Sequence, residues 1–129
     1  MLNKTVLDVM ISGGKFPVIR DTSTLKNALD EMTTYKLGMA CIVDSSETLI
    51  GVITDGDLRR ILLLRQSPLP ALLVSSALNF CNSTPHIIRE SDSIEKCLKE
   101  MKLFKISDLP VVNEKNQLVG IVHFHDLID

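Results

Sequence analysis

The chain has 129 residues, enough for one domain with its own core, and its 45% hydrophobic content excludes a disordered tail. Aromatic residues are scarce and tryptophan is absent, so the core is expected to be built from Leu, Ile, Val and Met. A net charge of -2, from 14 basic and 16 acidic residues, supplies no broad field for nucleic acid or anionic lipid.

From Met1 to Met10 the chain lacks the basic start and apolar stretch of a secretion signal. No apolar run approaches the roughly 20 residues that span a bilayer, so a soluble, cytoplasmic chain is expected. Pro17 to Arg20 is short and β-rich, and reads as a strand. Leu25, Ala28, Leu29 and Met32 then fall at i, i+3, i+4 and i+7, the spacing of one helix face. A strand at Ala40 to Val43, a polar turn at Asp44 to Thr48 and a strand at Leu49 to Ile53 form a hairpin. A helix opens at about Asp55 and runs to about Arg65. After Gln66 to Pro70 the order returns. Asp92 with Glu95 resembles a capping box, and Ile94, Cys97, Leu98 and Met101 repeat the helical spacing. Val111-Val112, Asn113 to Gln117 and Leu118 to Val122 repeat the hairpin.

This return is a true repeat. Shifted by 69 positions, Val18 to Leu58 matches the second half without a gap: Arg20 falls on Arg89, Met32 on Met101, Gly51 on Gly120 and Asp57 on Asp126. The entry Leu7-Asp8-Val9-Met10 has only a loose counterpart near Ser76-Ala77-Leu78. The expected fold is α/β of the mixed α+β kind. Each half is strand, helix, strand, strand, helix, and the two pack with pseudo-two-fold symmetry because one three-stranded unit cannot cover both faces of its sheet. Continuity along the chain divides it into residues 1–65, a linker at 66–70, and residues 71–129.

Cys41, Cys81 and Cys97 show neither a CxxC nor Cys/His ligand spacing. Cys41 and Cys97 lie on apolar elements and read as buried thiols; Cys81 falls in a loop with no motif around it. Neither metal binding nor thiol catalysis is expected.

Gly51-Val52-Ile53-Thr54-Asp55-Gly56-Asp57-Leu58, the Asp8-Val9-Met10 entry and the repeat itself resemble a tandem pair of cystathionine-β-synthase (CBS) domains, the Bateman module. The resemblance covers essentially the whole chain. It implies a regulatory pair that senses adenine nucleotides or related ligands for an attached enzyme or transporter. TDGDLRR in the first copy and HFHDL in the second are most similar to the C-terminal CBS pair of bacterial arabinose-5-phosphate isomerases, which supply the pathway to the lipopolysaccharide sugar Kdo. Phe16-Pro17 and Lys36-Leu37-Gly38-Met39 are similar to that subgroup too. Only Met1 to Lys4 precede the entry segment, so a fragment or stand-alone regulatory half is expected, with the sugar-isomerase domain as its partner. A sugar-phosphate nucleotidyltransferase with an N-terminal CBS pair is the competing home.

The resemblance places Thr54 and Asp57 at ribose and phosphate positions. A carboxylate accepts two hydrogen bonds from vicinal ribose hydroxyls, and a helix that starts there favours phosphate. Gly56 would keep the backbone accessible. The same Thr-x-x-Asp is equally a helix N-cap, and both roles can coexist. Of Arg59 and Arg60, one is expected to turn towards a ligand. Arg20 and Arg89 read as surface pairs, with a cleft role as the alternative. In the second copy His123 replaces the hydroxyl and Asp126 survives. His123 would stack on a base or accept a hydrogen bond, or else serve as a capping, partly buried residue. Two unequal clefts are expected.

The implied function is a ligand-sensing module for AMP, ATP, a CMP-type nucleotide or a nucleotide-sugar, with CMP-Kdo suggested by the pathway and no cofactor required. The alternative is a dimerisation module, for which Ile61-Leu62-Leu63-Leu64 covers more than one helix face; a homodimer is expected in either case. No nucleophile-base pair or Gly-rich phosphate loop is present, so these residues are not expected to catalyse.

Overall fold

The elements in chain order are α1 (Val6–Val9), β1 (Val18–Arg20), α2 (Leu25–Tyr35), β2 (Met39–Val43), β3 (Leu49–Thr54), α3 (Asp55–Leu64), α4 (Leu69–Leu73), β4 (Ile88–Arg89), α5 (Ile94–Phe104), β5 (Asp108–Val112) and β6 (Leu118–His123). Short 3-10 turns cover Ala77–Asn79 and Phe124–Asp126. They come from a computed structural model that describes residues 4–128. Two three-stranded sheets are present, ordered β1-β2-β3 and β4-β5-β6. In each, the first pair is parallel and the second is an antiparallel hairpin.

The first compact unit is Phe16–Pro85. The parallel β1–β2 pair requires a crossover, and α2 supplies it. Thr24 caps α2 reciprocally with Asn27, each backbone N–H donating to the other side chain at 2.9 and 3.2 Å. Lys36 ends the helix in the left-handed conformation, φ 55°. All five residues of β2 are buried. The core joins Ile19, Leu25, Ala28, Met32, Ala40, Ile42 and Ile53 with Ile61 of α3 and Leu72 of α4. Burial of this aliphatic surface is the main stabilising term, about 25 cal/mol per Å².

The second unit consists of the chain up to Lys15 together with His86 onward. Lys105 ends α5 as Lys36 ends α2, at φ 56°. Its start departs from the expectation: Ser93, not Asp92, is the N-cap, and Ser93 Oγ accepts from Lys96 N at 3.0 Å. Asp92 instead accepts from Arg89 N at 2.9 Å and holds the turn before the helix.

The packing units cross the boundaries at 66–70. The entry segment belongs with the second sheet: Val6 is fully buried in that core, Val6 N donates to Asp92 O, and Ile11 pairs with Ile121. Residues 75–82 serve the first sheet in the same way. Ala77 N donates to Ser23 O at 2.9 Å, and Asn82 pairs with Val52. Each added bridge occupies a sheet edge whose backbone groups would otherwise be unpaired. The repeated glycines make this approach sterically feasible. A Cβ on Gly120 would lie 2.7 Å from Ile11 O and 2.8 Å from Met10 Sδ; one on Gly51 would lie 2.8 Å from Cys81 Sγ and 3.1 Å from Asn82 O. The loose match of the entry to Ser76-Ala77-Leu78 thus reflects two segments doing one job in different units.

Candidate functional site

The first repeat's hairpin ends at Thr54, which is extended and caps α3. Asp57 N donates to Thr54 Oγ1 at 3.2 Å. Asp57 Oδ2 accepts from Thr54 N at 2.9 Å and from Thr54 Oγ1 at 3.1 Å. The other carboxylate oxygen, Oδ1, accepts from Arg60 Nη2 at 2.5 Å. Asp57 is therefore both the N3 residue of a capping box and the hub of a small polar cluster. With Asp55 it places negative charge in the first turn, where the helix dipole favours it. The structure brings Thr54, Asp57 and Arg60 together, and leaves Arg59 exposed with no hydrogen bond or ion pair among the described residues. Gly56 is not demanded by packing, because a Cβ there meets only ordinary contacts at 3.6 Å.

The second repeat reaches the same junction with other chemistry. Asp108 and His123 are cross-strand partners, in the register that pairs Met39 with Thr54 in the first sheet. His123 Nδ1 lies 2.7 Å from Asp108 Oδ1. Asp108 is 6% exposed, the only charged residue among the described ones that is buried. His123 makes no capping bond, and the turn Phe124–Asp126 follows it. His123 and His125 have ring centroids 5.2 Å apart, while Asp126 is exposed and bonded to nothing among the described residues. His123 and Asp126 are thus not joined as Thr54 and Asp57 are. Sequence reasoning missed Asp108. An acid in Met39's slot, opposite a histidine in Thr54's slot, was the available signal, since directly opposite residues act as a pair.

Arg20 and Arg89 fasten the hairpin turns. Arg20 binds Glu47 in a bidentate pair and donates to Asp44 O at 3.1 Å, and the Glu47 carboxylate holds its guanidinium still more firmly protonated. Arg89 donates to Asn113 O and to Asn116 Oδ1. Cys41 and Cys97 are fully buried. Cys81 is half-buried against Gly51, and burial pushes its thiol up. No group of three His, Cys, Asp or Glu among the described residues is placed to hold a metal ion. No described helix is long and apolar enough to cross a membrane.

The CBS domain family model matches residues 6–64 and 76–129. A probable arabinose 5-phosphate isomerase of Haemophilus influenzae is 34% identical over 110 residues, which are 85% of this chain and 32% of that protein. The chain spans about a third of the length of the curated relatives it matches. Among solved structures, CBSX2 of Arabidopsis thaliana in complex with AMP superposes with a TM-score of 0.83 at 23% identity, covering 97% of this chain and 93% of that one. The CBS domain protein PAE2072 from Pyrobaculum aerophilum, complexed with AMP, gives 0.80 at 20% identity, covering 96% and 90%. Two matched repeats, two β-α-β-β sheets and the superpositions agree: the chain belongs to the CBS domain family, as a tandem pair.

Proposed function

We propose that the chain is a ligand-sensing regulatory module that binds a nucleotide or nucleotide-sugar and controls an arabinose-5-phosphate isomerase domain of Kdo synthesis. The carrying observation is the fixed Asp57 carboxylate at the start of α3, held by Thr54 and flanked by Arg60. A carboxylate of this kind receives a ribose diol, and the amides and dipole of a ten-residue helix favour the adjoining phosphate. Arg59 adds positive charge at the rim. His123 and Asp126 form the altered second site, which takes its ligand less well. Two similar folds hold AMP, and the Haemophilus relative, a probable arabinose 5-phosphate isomerase, supports the isomerase as partner. Titration with AMP, ATP, CMP and CMP-Kdo tests the reading by thermal shift. A true ligand at about 100 times its Kd adds about 2.7 kcal/mol of stability by linkage; no shift with any of the four at saturating concentration removes sensing.

A second reading, assembly of a homodimer, is favoured by the end of α3. Ile61 is buried in the first core, whereas Leu62, Leu63 and Leu64 are 62%, 76% and 77% exposed. Three adjacent exposed leucines are costly to leave in water and suit a second copy of the chain. Leu63→Glu should lower the mass seen by light scattering; an unchanged mass excludes this face.

A further inference from the structure

Asp57 has little acceptor capacity to spare. Thr54 N and Oγ1 occupy Oδ2 at 2.9 and 3.1 Å, and Arg60 Nη2 occupies Oδ1 at 2.5 Å. A carboxylate has about four lone-pair sites, and a ribose diol brings two donors. The Oδ2 side cannot be given up without undoing the helix cap, so the diol must take the Oδ1 side, where Arg60 sits. That side chain is 58% exposed, against 14% for Asp57, so it can swing away while Asp57 stays fixed. An exposed pair of this kind is weak and exchanges readily. The exchange is unbalanced in charge, because neutral hydroxyls replace a guanidinium. Arg60 is then left unpaired unless the ligand itself carries an anion.

We infer that Arg60 is the specificity-determining residue of this site: it covers Asp57 Oδ1 in the free protein and transfers to the ligand's phosphate when a ribose diol takes its place. The site thereby selects nucleotides over the corresponding nucleosides. The inference rests on the nucleotide reading above and adds to it a reason for discrimination. Arginine suits the role because its planar fork matches a phosphate as well as a carboxylate.

Calorimetric titration of the full chain with AMP and with adenosine tests it. Wild type should bind AMP at least about tenfold more tightly than adenosine, the size of one charge-assisted hydrogen bond. Arg60→Gln should weaken AMP by about tenfold while leaving adenosine unchanged or up to about fivefold tighter, since the displaced ion pair no longer competes. Arg60→Lys should fall between, and Arg59→Gln, which removes only a solvent-screened rim charge, should weaken AMP by less than about threefold and leave adenosine unchanged. If wild type binds AMP but Arg60→Gln keeps the full preference, or loses both ligands equally, the exchange is overturned and the nucleotide reading stands. If wild type binds neither ligand, the nucleotide reading fails and takes the exchange with it.

Discussion

The two repeats run along the same backbone path to the ends of their hairpins and then part. At the first junction Thr54 and Asp57 cap a ten-residue helix, and Asp57 keeps one oxygen turned to Arg60. At the second, His123 turns back along the sheet to the buried Asp108, the cap is lost, and Asp126 is left in solvent. The scaffold, by contrast, is duplicated closely. Gly51 and Gly120 admit a bridging segment, Lys36 and Lys105 close helices in the left-handed conformation, and Arg20 and Arg89 clamp turns. Backbone geometry constrains both copies alike, whereas a ligand site is needed only where its chemistry is used. In the first unit Leu58 and Ile61 of α3 pack on the core.

The largest effect is expected where the second junction is made to imitate the first. His123→Thr strands the Asp108 carboxylate in a buried position, which should cost about 3 kcal/mol in urea unfolding. Adding Asp108→Met restores the pair that Met39 and Thr54 form, and should return stability to within about 1 kcal/mol of wild type. Simple additivity of the two changes would show that Asp108 and His123 are not coupled.

A second contrast lies on the helices, where Cys97 occupies the place of Ala28. Burial foremost, with Glu100 and Asp92, raises the Cys97 thiol from 9.0 to about 11. The unfolded thiol ionises first as pH rises past about 9, so the unfolded state then holds fewer protons and stability falls until the folded thiol also ionises near 11. The loss should reach roughly 2.5 kcal/mol in wild type and be absent in Cys97→Ala, read as the alkaline slope of stability. Parallel slopes would mean that Cys97 is not shielded as Ala28's counterpart should be.

Smaller effects belong to the caps. Asp57→Ala should lose about 1–2 kcal/mol with its capping box, and Asp126→Ala less than about 0.5 kcal/mol. Equal losses would make the two junctions structurally alike.

Much of this was legible in residue order. The repeat at a fixed offset, the i, i+3, i+4, i+7 faces of α2 and α5, and the hairpins at Asp44 and Asn113 are local patterns, and the ends of these strands and helices fall within about three residues of where those patterns end. The N-cap at Ser93 was missed because Asp92 and Ser93 are both good cap residues, and only the strand before them decides which turns out. Which segment packs with which sheet is non-local. Val6 is buried against residues more than eighty positions away, and no periodicity records that. Asp108 was passed over because its meaning depends on cross-strand register with His123. Thr54 and Asp57 were legible as residues. Their bonding to each other fits the cap reading, and the hold of Arg60 on Asp57 Oδ1 emerged only from the geometry.

Unequal junctions are tested most directly by calorimetric titration of AMP into wild type, Asp57→Ala and Asp126→Ala. Wild type should bind, Asp57→Ala should show no binding heat, and Asp126→Ala should stay within about threefold of wild type. Equal losses in the two variants, or full binding by Asp57→Ala, would contradict a nucleotide site at the start of α3.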